Sequence, residues 1–205
     1  MSMLTNWGYT LTEIDRLPDM MDIADYETYT GRDDDMERVT VEASAACASI
    51  RNFVGWHLYP SAACRFESIA SDRRVIYHGS DMIIQLPARY ISDVSVITID
   101  DIEYEHYHVD TNGLLTVFNI RPIKRYSRVV VEYTAGLTDA MMAPIKELIA
   151  HRVTHAMAVP AGVTSESSGG VAVTYNATWI NNARATALAG DNKELLIPYK
   201  VQGVF

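Results

Sequence analysis

Residues 129–153 read VVVEYTAGLTDAMMAPIKELIAHRV, and this stretch decides the fold class because its pattern changes in the middle. It begins with β-branched and aromatic residues, which favour a strand. Gly136 then permits a sharp turn, and Pro144 suits the first turn of a helix, where its missing N–H group costs no hydrogen bond. Beyond Pro144, apolar residues recur three and four positions apart. The stretch therefore predicts a junction at which a β-sheet ends and a helix begins.

A long helix is predicted upstream of this junction, over residues 33–60. Three aspartates, Asp33 to Asp35, lie at its start, where acidic side chains complement the helix dipole, and Pro60 ends it. Its buried face is predicted to comprise Met36, Val39, Ala43, Ala46, Cys47, Ile50, Phe53, Val54 and His57. Small side chains lie off this face, at Ala45, Ala48 and Ser49, and would let another helix approach closely.

Residues 61–136 follow a period of two instead. Short runs such as RRVIYH, MIIQLP and VSVITIDD are rich in β-branched residues and are separated by turn residues. Asn112-Gly113 is a strong signal for a hairpin with a two-residue turn. The segment is therefore predicted to be a compact antiparallel β-domain inserted between helices.

The expected fold class is α+β, a helical bundle with an inserted antiparallel β-domain. The bundle would consist of the long N-terminal helix and the C-terminal helices, from residues 33–60 and 137–205, with the latter range including a C-terminal tail. A short helix is expected over residues 177–190. Residues 1–32 would form an acidic N-terminal arm, and residues 61–136 the inserted domain.

Composition and charge exclude some classes of protein. The chain has 205 residues, of which 48% are hydrophobic and 21% charged, as in ordinary globular domains. No apolar run is long enough to span a membrane, and the N-terminus does not resemble a signal peptide. We therefore expect a protein made in a cytoplasm, with Cys47 and Cys64 as buried reduced thiols. The net charge of −9 argues against a global DNA-binding surface.

One basic run interrupts this acidic background. Arg121, Lys124, Arg125 and Arg128 follow one another without an intervening acidic residue. They are candidate contacts to DNA phosphates or to an acidic partner, and a DNA-binding module is one alternative function. The other interpretation is a solvated turn and strand edge, where charges discourage edge pairing.

Few residues suggest chemistry. His151 and His155 have the spacing of zinc-protease ligands, but Arg152 stands where that motif needs glutamate, so one packed and one exposed histidine are expected. His106, His108 and Asp110 would share one face of a strand, which leaves a metal-dependent enzyme as a further alternative. We predict no catalytic residue, no cofactor and no metal, and hence a non-enzymatic interaction protein.

Three stretches taken in order resemble the head-tail connector (adaptor) proteins of tailed bacteriophages. The first is the helix end ASIRNFVGWHLYP, residues 48–60. The second is VEYTAGLTDAMMAPIKELIA, residues 131–150, which is similar to the family's strand, turn and proline-started helix. The third is SESSGGVAVTYN, residues 165–176, followed by ELLIPYKV, residues 194–201.

This resemblance implies an oligomeric ring, dodecameric in the family, that docks beneath the portal and extends the DNA channel. The candidate ring contacts are then Ala45, Ala48 and Ser49. The implied partners are other copies of the chain, the portal protein, a stopper or tail-completion protein and DNA that passes without sequence specificity. The implied location is the virion neck, after assembly in the host cytoplasm, with no membrane contact. Another neck component, a stopper or tail-completion protein, is the nearest alternative.

The C-terminal tail is the predicted partner interface. Its apolar residues have little reason to form a core alone, so they would either dock on a partner or pack on their own protomer. These candidate interface residues are Leu195, Ile197, Tyr199, Val201, Val204 and Phe205.

Overall fold

A computed structural model describes residues 2–122, 124–158, 165–168, 171–174 and 191–201. The chain divides into two compact units. The first, which we call the sheet unit, comprises Met1–Pro18, Val54–Ala140 and Tyr199–Phe205. The second, the helix unit, comprises Asp19–Phe53 and Met141–Pro198.

The sheet unit contains two antiparallel sheets. Its strands are β1 (Ser2–Leu4), β2 (Thr10–Thr12), β3 (Ala62–Ile69), β4 (Val75–His78), β5 (Asp81–Gln85), β6 (Ile91–Ile99), β7 (Ile102–Glu103), β8 (Tyr107–Val109), β9 (Leu114–Val117) and β10 (Arg128–Ala135). The larger sheet has the order β1-β2-β3-β10-β6-β7, and the smaller one has the order β4-β5-β9-β8.

Strand β10, the first part of the stretch 129–153, lies in the middle of the larger sheet. It pairs with β3 on one side and β6 on the other, so that Val131 is opposite both Phe66 and Ile97. Two register shifts interrupt its pairing with β6, one after Glu132 and one after Thr134. Val129, Val130 and Val131 are all buried, so both faces of the sheet are covered at this point of β10, as the near-continuous apolar run indicates.

The smaller sheet confirms a turn at Asn112-Gly113, although the turn differs from the two-residue form. The N–H group of Asp110 bonds to the carbonyl of Leu114 at 3.0 Å, so three residues lie between them. The Asp110 carboxylate accepts the N–H groups of Asn112 and Leu114, at 2.9 and 2.8 Å. Gly113 has a φ of +86°, which glycine adopts without strain. The side chain of Asp110 therefore closes this hairpin.

The helix unit is built from α1 (Ile23–Thr30), α2 (Met36–Val54, whose last residue belongs to the sheet unit), α3 (Ala143–Ala158) and the short α4 (Asp191–Leu196). A hairpin of β11 (Ser165–Ser168) and β12 (Val171–Thr174) belongs to the same unit. The ion pair of Lys146 with Asp25, at 2.7 Å, joins α3 to α1. The guanidinium of Arg38 donates to the carbonyl of Ala156, at 2.8 Å, and joins α2 to α3.

The predicted apolar faces of α2 and α3 are largely confirmed. Val39, Ala43, Ala46, Cys47 and Ile50 are buried on α2, and the side chains of Ile145, Ile149 and Val153 are buried on α3. Met36, the first residue of α2, is 49% exposed, and Phe53 is only half-buried. The predicted end of the helix at Pro60 is wrong, because α2 ends at Val54 and the buried His57 lies beyond it. Pro144 lies in the first turn of α3, as predicted.

The prediction of a helical bundle with a long N-terminal helix is wrong. The chain is a mixed α+β protein: in the part that the structure describes, two antiparallel sheets hold ten strands, a further hairpin adds two, and three helices are substantial. The chain begins with β1 and β2 rather than with an arm outside the fold, and β2 pairs with β3 in the larger sheet. Strands of three residues are too short to show a period, which is why the sequence pattern did not reveal them. The short helix expected over residues 177–190 lies outside the described residues.

Candidate functional site

A groove lined by basic side chains lies on the sheet unit. Arg121, Lys124 and Arg125 line it, and its volume is about 700 Å³. The rest of its lining is mostly small or apolar: Ala70, Tyr77, Gly79, Ser80, Ile120 and Pro122. We call it the basic groove. Three of the four residues of the predicted basic cluster therefore meet in one concave surface.

The loop that carries these cations, between β9 and β10, is held at its β9 end by the β4–β5 turn. The N–H group of Ile120 donates to the carbonyl of Ser80 at 2.8 Å. The N–H group of Asn119 donates to the carboxylate of Asp81 at 3.2 Å. The start of the loop is thus bonded to a hairpin of the smaller sheet.

The other end of the loop is held by Ser127, which is buried. Its hydroxyl donates to the carboxylate of Asp100 at 2.6 Å and accepts the N–H group of Lys124 at 3.0 Å. Its carbonyl accepts the N–H group of Ala70 at 2.8 Å. The hydrogen bonds from Ser127 and from the N–H group of Arg128 hold the pKa of Asp100 below its usual value. Both ends of the loop are thus held by hydrogen bonds to other segments of the sheet unit.

Arg128 is separate from the groove. It pairs with Glu67 at 2.8 Å and approaches Asp101 at 3.8 Å, while Arg65 pairs with Glu132 at 2.7 Å and reaches Glu67 at 3.6 Å. The hydrogen bond from Arg128 is the main cause that lowers the pKa of Glu67. Arg128 thus belongs to an ion-pair network across the sheet, where its charge is already compensated.

The predicted interface in the C-terminal tail divides into two parts. Leu195 and Ile197 are 61% and 58% exposed, on either side of the buried Leu196. Tyr199 and Val201 are half-buried and are held by the sheet unit. Val204 and Phe205 lie outside the described residues.

Backbone hydrogen bonds account for the second part of the tail. The indole Nε1–H of Trp56 donates to the carbonyl of Tyr199 at 2.7 Å, and the N–H group of Val201 donates to the carbonyl of Val54 at 2.9 Å. The Tyr199 ring lies 5.9 Å from that of Tyr90, and burial raises the pKa of Tyr199. This segment packs on its own protomer, whereas Leu195 and Ile197 stay available to a partner.

The candidate ring contacts on α2 lie mainly at the surface. Ala45 and Ala48 are exposed, and Ser49 is half-buried with its hydroxyl donating to the carbonyl of Ala45 at 2.9 Å. Val41, one turn before Ala45, is also exposed. These four residues form the small-residue face of α2.

A buried polar network around His57 was missed by the sequence reasoning, which saw only an apolar helix position. The Nε2 atom of His57 lies 3.1 Å from the carbonyl oxygen of Pro60 and 3.0 Å from that of Ala135. Carbonyls only accept, so we place the proton on Nε2. The hydroxyl of Tyr9 then donates to Nδ1, at 2.6 Å, and accepts the N–H group of His57, at 3.0 Å. The bonding partners indicate a structural role for this histidine.

The candidate metal ligands do not form a cluster. Strand β8 ends at Val109, and the Asp110 carboxylate is used in the hairpin turn. Across the part of the chain that the structure describes, no group of three or more His, Cys, Asp or Glu residues could hold a metal ion. His151 and His155 are both exposed, so the expectation that one of them is packed is wrong.

None of the described helices is both long and apolar enough to cross a membrane. No protein-family model matches the chain, and no curated protein matches it either. The resemblance to phage connectors therefore depends only on the three sequence motifs.

Proposed function

We propose that the protein is a structural head-tail connector of a tailed phage, which assembles into a ring beneath the portal and joins the head to the next neck component. The ordered motifs at residues 48–60, 131–150 and 165–201 support this proposal. The observation that carries it is the exposed pair Leu195 and Ile197, which directly precedes the tail segment bonded to Trp56 and Val54.

The energy available from this pair suits a contact that is repeated around a ring. Full burial of a leucine or isoleucine side chain contributes about 1.5–3 kcal/mol, so covering the exposed part of each contributes about 1–2 kcal/mol. One such contact is weak. In a ring, every subunit can make the same contact with a partner. Once the first contact has formed, each further contact becomes intramolecular, so the weak contacts add up to stable binding.

The contact between neighbouring subunits is assigned to the small-residue face of α2. A ring needs one surface of each subunit to meet a different surface of the next. Ala45 and Ala48 add little side-chain bulk, so a neighbouring backbone can approach α2 closely there. The net charge of −9 fits a channel through which DNA passes without being retained.

The two-sheet architecture also favours a second candidate, a stopper or tail-completion protein. These neck components resemble small β-barrels, and the sheet unit here holds ten antiparallel strands. The order of the three motifs at residues 48–60, 131–150 and 165–201 favours the connector over this alternative.

Electron microscopy of the purified protein, alone and co-expressed with the portal protein of the same genome, tests the proposal. We expect rings, and we expect Ile197→Asp to abolish attachment to the portal or to the next neck component. Ile76→Asp is the matched control, because Ile76 is 57% exposed on β4 and lies far from the tail in sequence. Particles that remain monomeric even with the portal present would refute the proposal.

A further inference from the structure

The tail segment 199–201 is held by the sheet unit at each of its three residues. Its first residue accepts the indole N–H group of Trp56 at 2.7 Å, and its last residue donates its N–H group to the carbonyl of Val54 at 2.9 Å. The middle residue, Lys200, is held as well, because the guanidinium of Arg89 donates to its carbonyl at 3.2 Å. All three hydrogen bonds use backbone atoms of the tail, so the sheet unit recognises the backbone of this segment.

An aromatic contact accompanies these bonds. The ring of Tyr90 is stacked on that of Trp56, with centroids 6.3 Å apart and planes inclined by 14°, and it lies 5.9 Å from the ring of Tyr199. The adjacent residue Arg89 is held by the hairpin turn, because its guanidinium also donates to the side-chain oxygen of Asn112. We define the tail clamp as the sheet-unit residues Val54, Trp56, Arg89 and Tyr90. The clamp therefore binds a short peptide through its backbone and through one aromatic side chain.

The tail belongs to a different unit from the residues that lead to it. Met141–Pro198 is part of the helix unit, whereas Tyr199–Phe205 is part of the sheet unit. Between strand β12 and helix α4 lie the sixteen residues 175–190, and a chain of that length spans up to about 50 Å. This connection is long enough for α4 and the tail to reach another copy of the chain.

Identical copies can exchange a terminal segment of this kind at little cost. Every copy carries the same clamp and the same tail, so the same atoms meet whether the tail comes from its own copy or from another. The exchange therefore leaves no hydrogen-bonding group of the clamp without its partner. The clamp of one copy is thus complementary to the tail of any other copy.

We propose that the tail clamp is a peptide-binding site through which copies of this chain exchange their tails, so that residues 199–201 of one copy occupy the clamp of the next. Each copy then gives its tail to one neighbour and receives a tail from another. The clamp and the tail are different surfaces, so the contact is heterologous and closes into a ring when the rotation between copies permits. The exchange rests on the proposed ring, whereas binding of the tail peptide to the clamp does not depend on it.

Fluorescence anisotropy with a labelled peptide of residues 197–205, IPYKVQGVF, tests the binding site. The protein is the full chain with Tyr199→Ala and Val201→Pro, which removes the ring and the N–H group that hold its own tail and leaves the clamp unchanged. We expect this open-clamp variant to bind the peptide about tenfold more tightly than the wild type, whose own tail competes. Trp56→Phe in the same background removes the indole N–H group and should weaken binding about tenfold. Tyr199→Ala alone takes the place of the double variant if the latter does not fold.

Two further peptides serve as matched controls. A peptide methylated on the backbone nitrogen of Val201 lacks the donor to Val54 and should bind about tenfold more weakly, and a scrambled peptide should not bind. The near-UV circular dichroism signal shows whether each variant is folded. If Trp56→Phe loses this signal, Arg89→Met, which removes the donor to Lys200, takes its place. Equal binding of all three peptides, or no binding by a folded open-clamp variant, would overturn the binding site.

Photo-crosslinking tests the exchange between copies. p-Benzoylphenylalanine replaces Tyr90 in the full chain, and equal amounts of isotope-labelled and unlabelled protein are unfolded, refolded together and assembled with the portal protein. If tails are exchanged, about half of the crosslinks between clamp and tail should join a labelled to an unlabelled copy, because neighbours pair at random. If each clamp holds its own tail, no crosslink joins the two kinds of copy, and that result would overturn the inference.

Failure of the exchange is distinguishable from failure of the proposed function. Rings in which every clamp holds its own tail would leave the connector proposal standing and overturn the exchange. Monomers in electron microscopy, even with the portal present, would overturn both, including when the open-clamp variant binds the peptide. Crosslinks from the clamp to the portal protein would replace the tail of a second copy by the portal as the occupant.

Discussion

Replacement of Gly136 by alanine tests the junction between β10 and the chain that leads to α3. Gly136 has a φ of +134°, a conformation that side-chain-bearing residues rarely adopt. A Cβ atom built on it would lie 2.6 Å from the Cα atom of Ser61 and would also overlap the carbonyl oxygen of Pro60. These atoms belong to the backbone, so no side-chain rotation can relieve the overlap.

The expected loss of stability follows from two terms. Forcing alanine into this backbone region costs about 1–3 kcal/mol, and overpacking against a fixed backbone costs about 1–3 kcal/mol more. We therefore expect Gly136→Ala to lower the free energy of unfolding by about 4 kcal/mol. Gly79 provides the control within the sheet unit, because its φ is +65° and a Cβ atom would meet nothing within 4 Å. Gly79→Ala should cost only about 1 kcal/mol.

Urea denaturation monitored by tryptophan fluorescence measures both variants. In a Trp179→Phe background the signal comes from Trp7 and Trp56, which both belong to the sheet unit. At a slope of about 2 kcal/mol/M, the midpoint should fall by about 2 M for Gly136→Ala and by about 0.5 M for Gly79→Ala. Equal losses in the two variants would show that the approach of Pro60 and Ser61 to Gly136 does not govern the stability of the junction.

Four further predictions concern Tyr9, Tyr133, Asp100 and Cys64. Tyr9→Phe removes two hydrogen bonds to His57 and should cost about 1–3 kcal/mol. Tyr133→Phe should be neutral or stabilising in the same urea assay, because the buried Tyr133 hydroxyl has no hydrogen-bond partner among the described residues. The folded-state pKa of Asp100 is lowered, so its carboxylate stabilises the fold above the unfolded-state pKa of about 4, and this contribution is lost as the pH falls through the folded-state value. Asp100→Asn should thus lower stability at neutral pH and flatten its decline in acid, and an unchanged acid profile would contradict this. Burial raises the pKa of the Cys64 thiol to about 12, so a thiol reagent at pH 8 should modify Cys64 only after denaturant is added, as mass spectrometry can show.

Long periodic segments were predictable from the sequence because many residues contribute to each pattern. The buried face of α2 and the apolar run of β10 both follow from spacing alone. Gly136 and Pro144 were also interpreted correctly, since each has a backbone property that few residues share.

Pairing between distant segments could not be predicted in the same way. Strand β2 has only three residues, and it is a strand because β1 and β3 bond to it. Arg128 is separated from the other three basic residues because it pairs with Glu67 and approaches Asp101. Both acidic residues lie far from the basic run in sequence. Each of these features depends on which segments the fold brings together, and a local pattern carries no such information.

The structure adds a role to the stretch 129–153. The sheet unit consists of three segments of the chain, and the boundaries of the last two are Val54, Ala140 and Tyr199. Within that unit, bonds join the segments next to these three points: His57 to Ala135, Leu137 to Leu58 at 2.8 Å, and Val201 to Val54 at 2.9 Å.

Gly136 lies at the centre of this arrangement, because only a residue without a Cβ atom lets β10 approach Pro60 and Ser61 so closely. The tail segment that follows Leu195 and Ile197 is bonded to the same region through Trp56. Three segments of the sheet unit that lie far apart in sequence therefore meet here, and Gly136, which first indicated a turn, is the residue that permits their close approach.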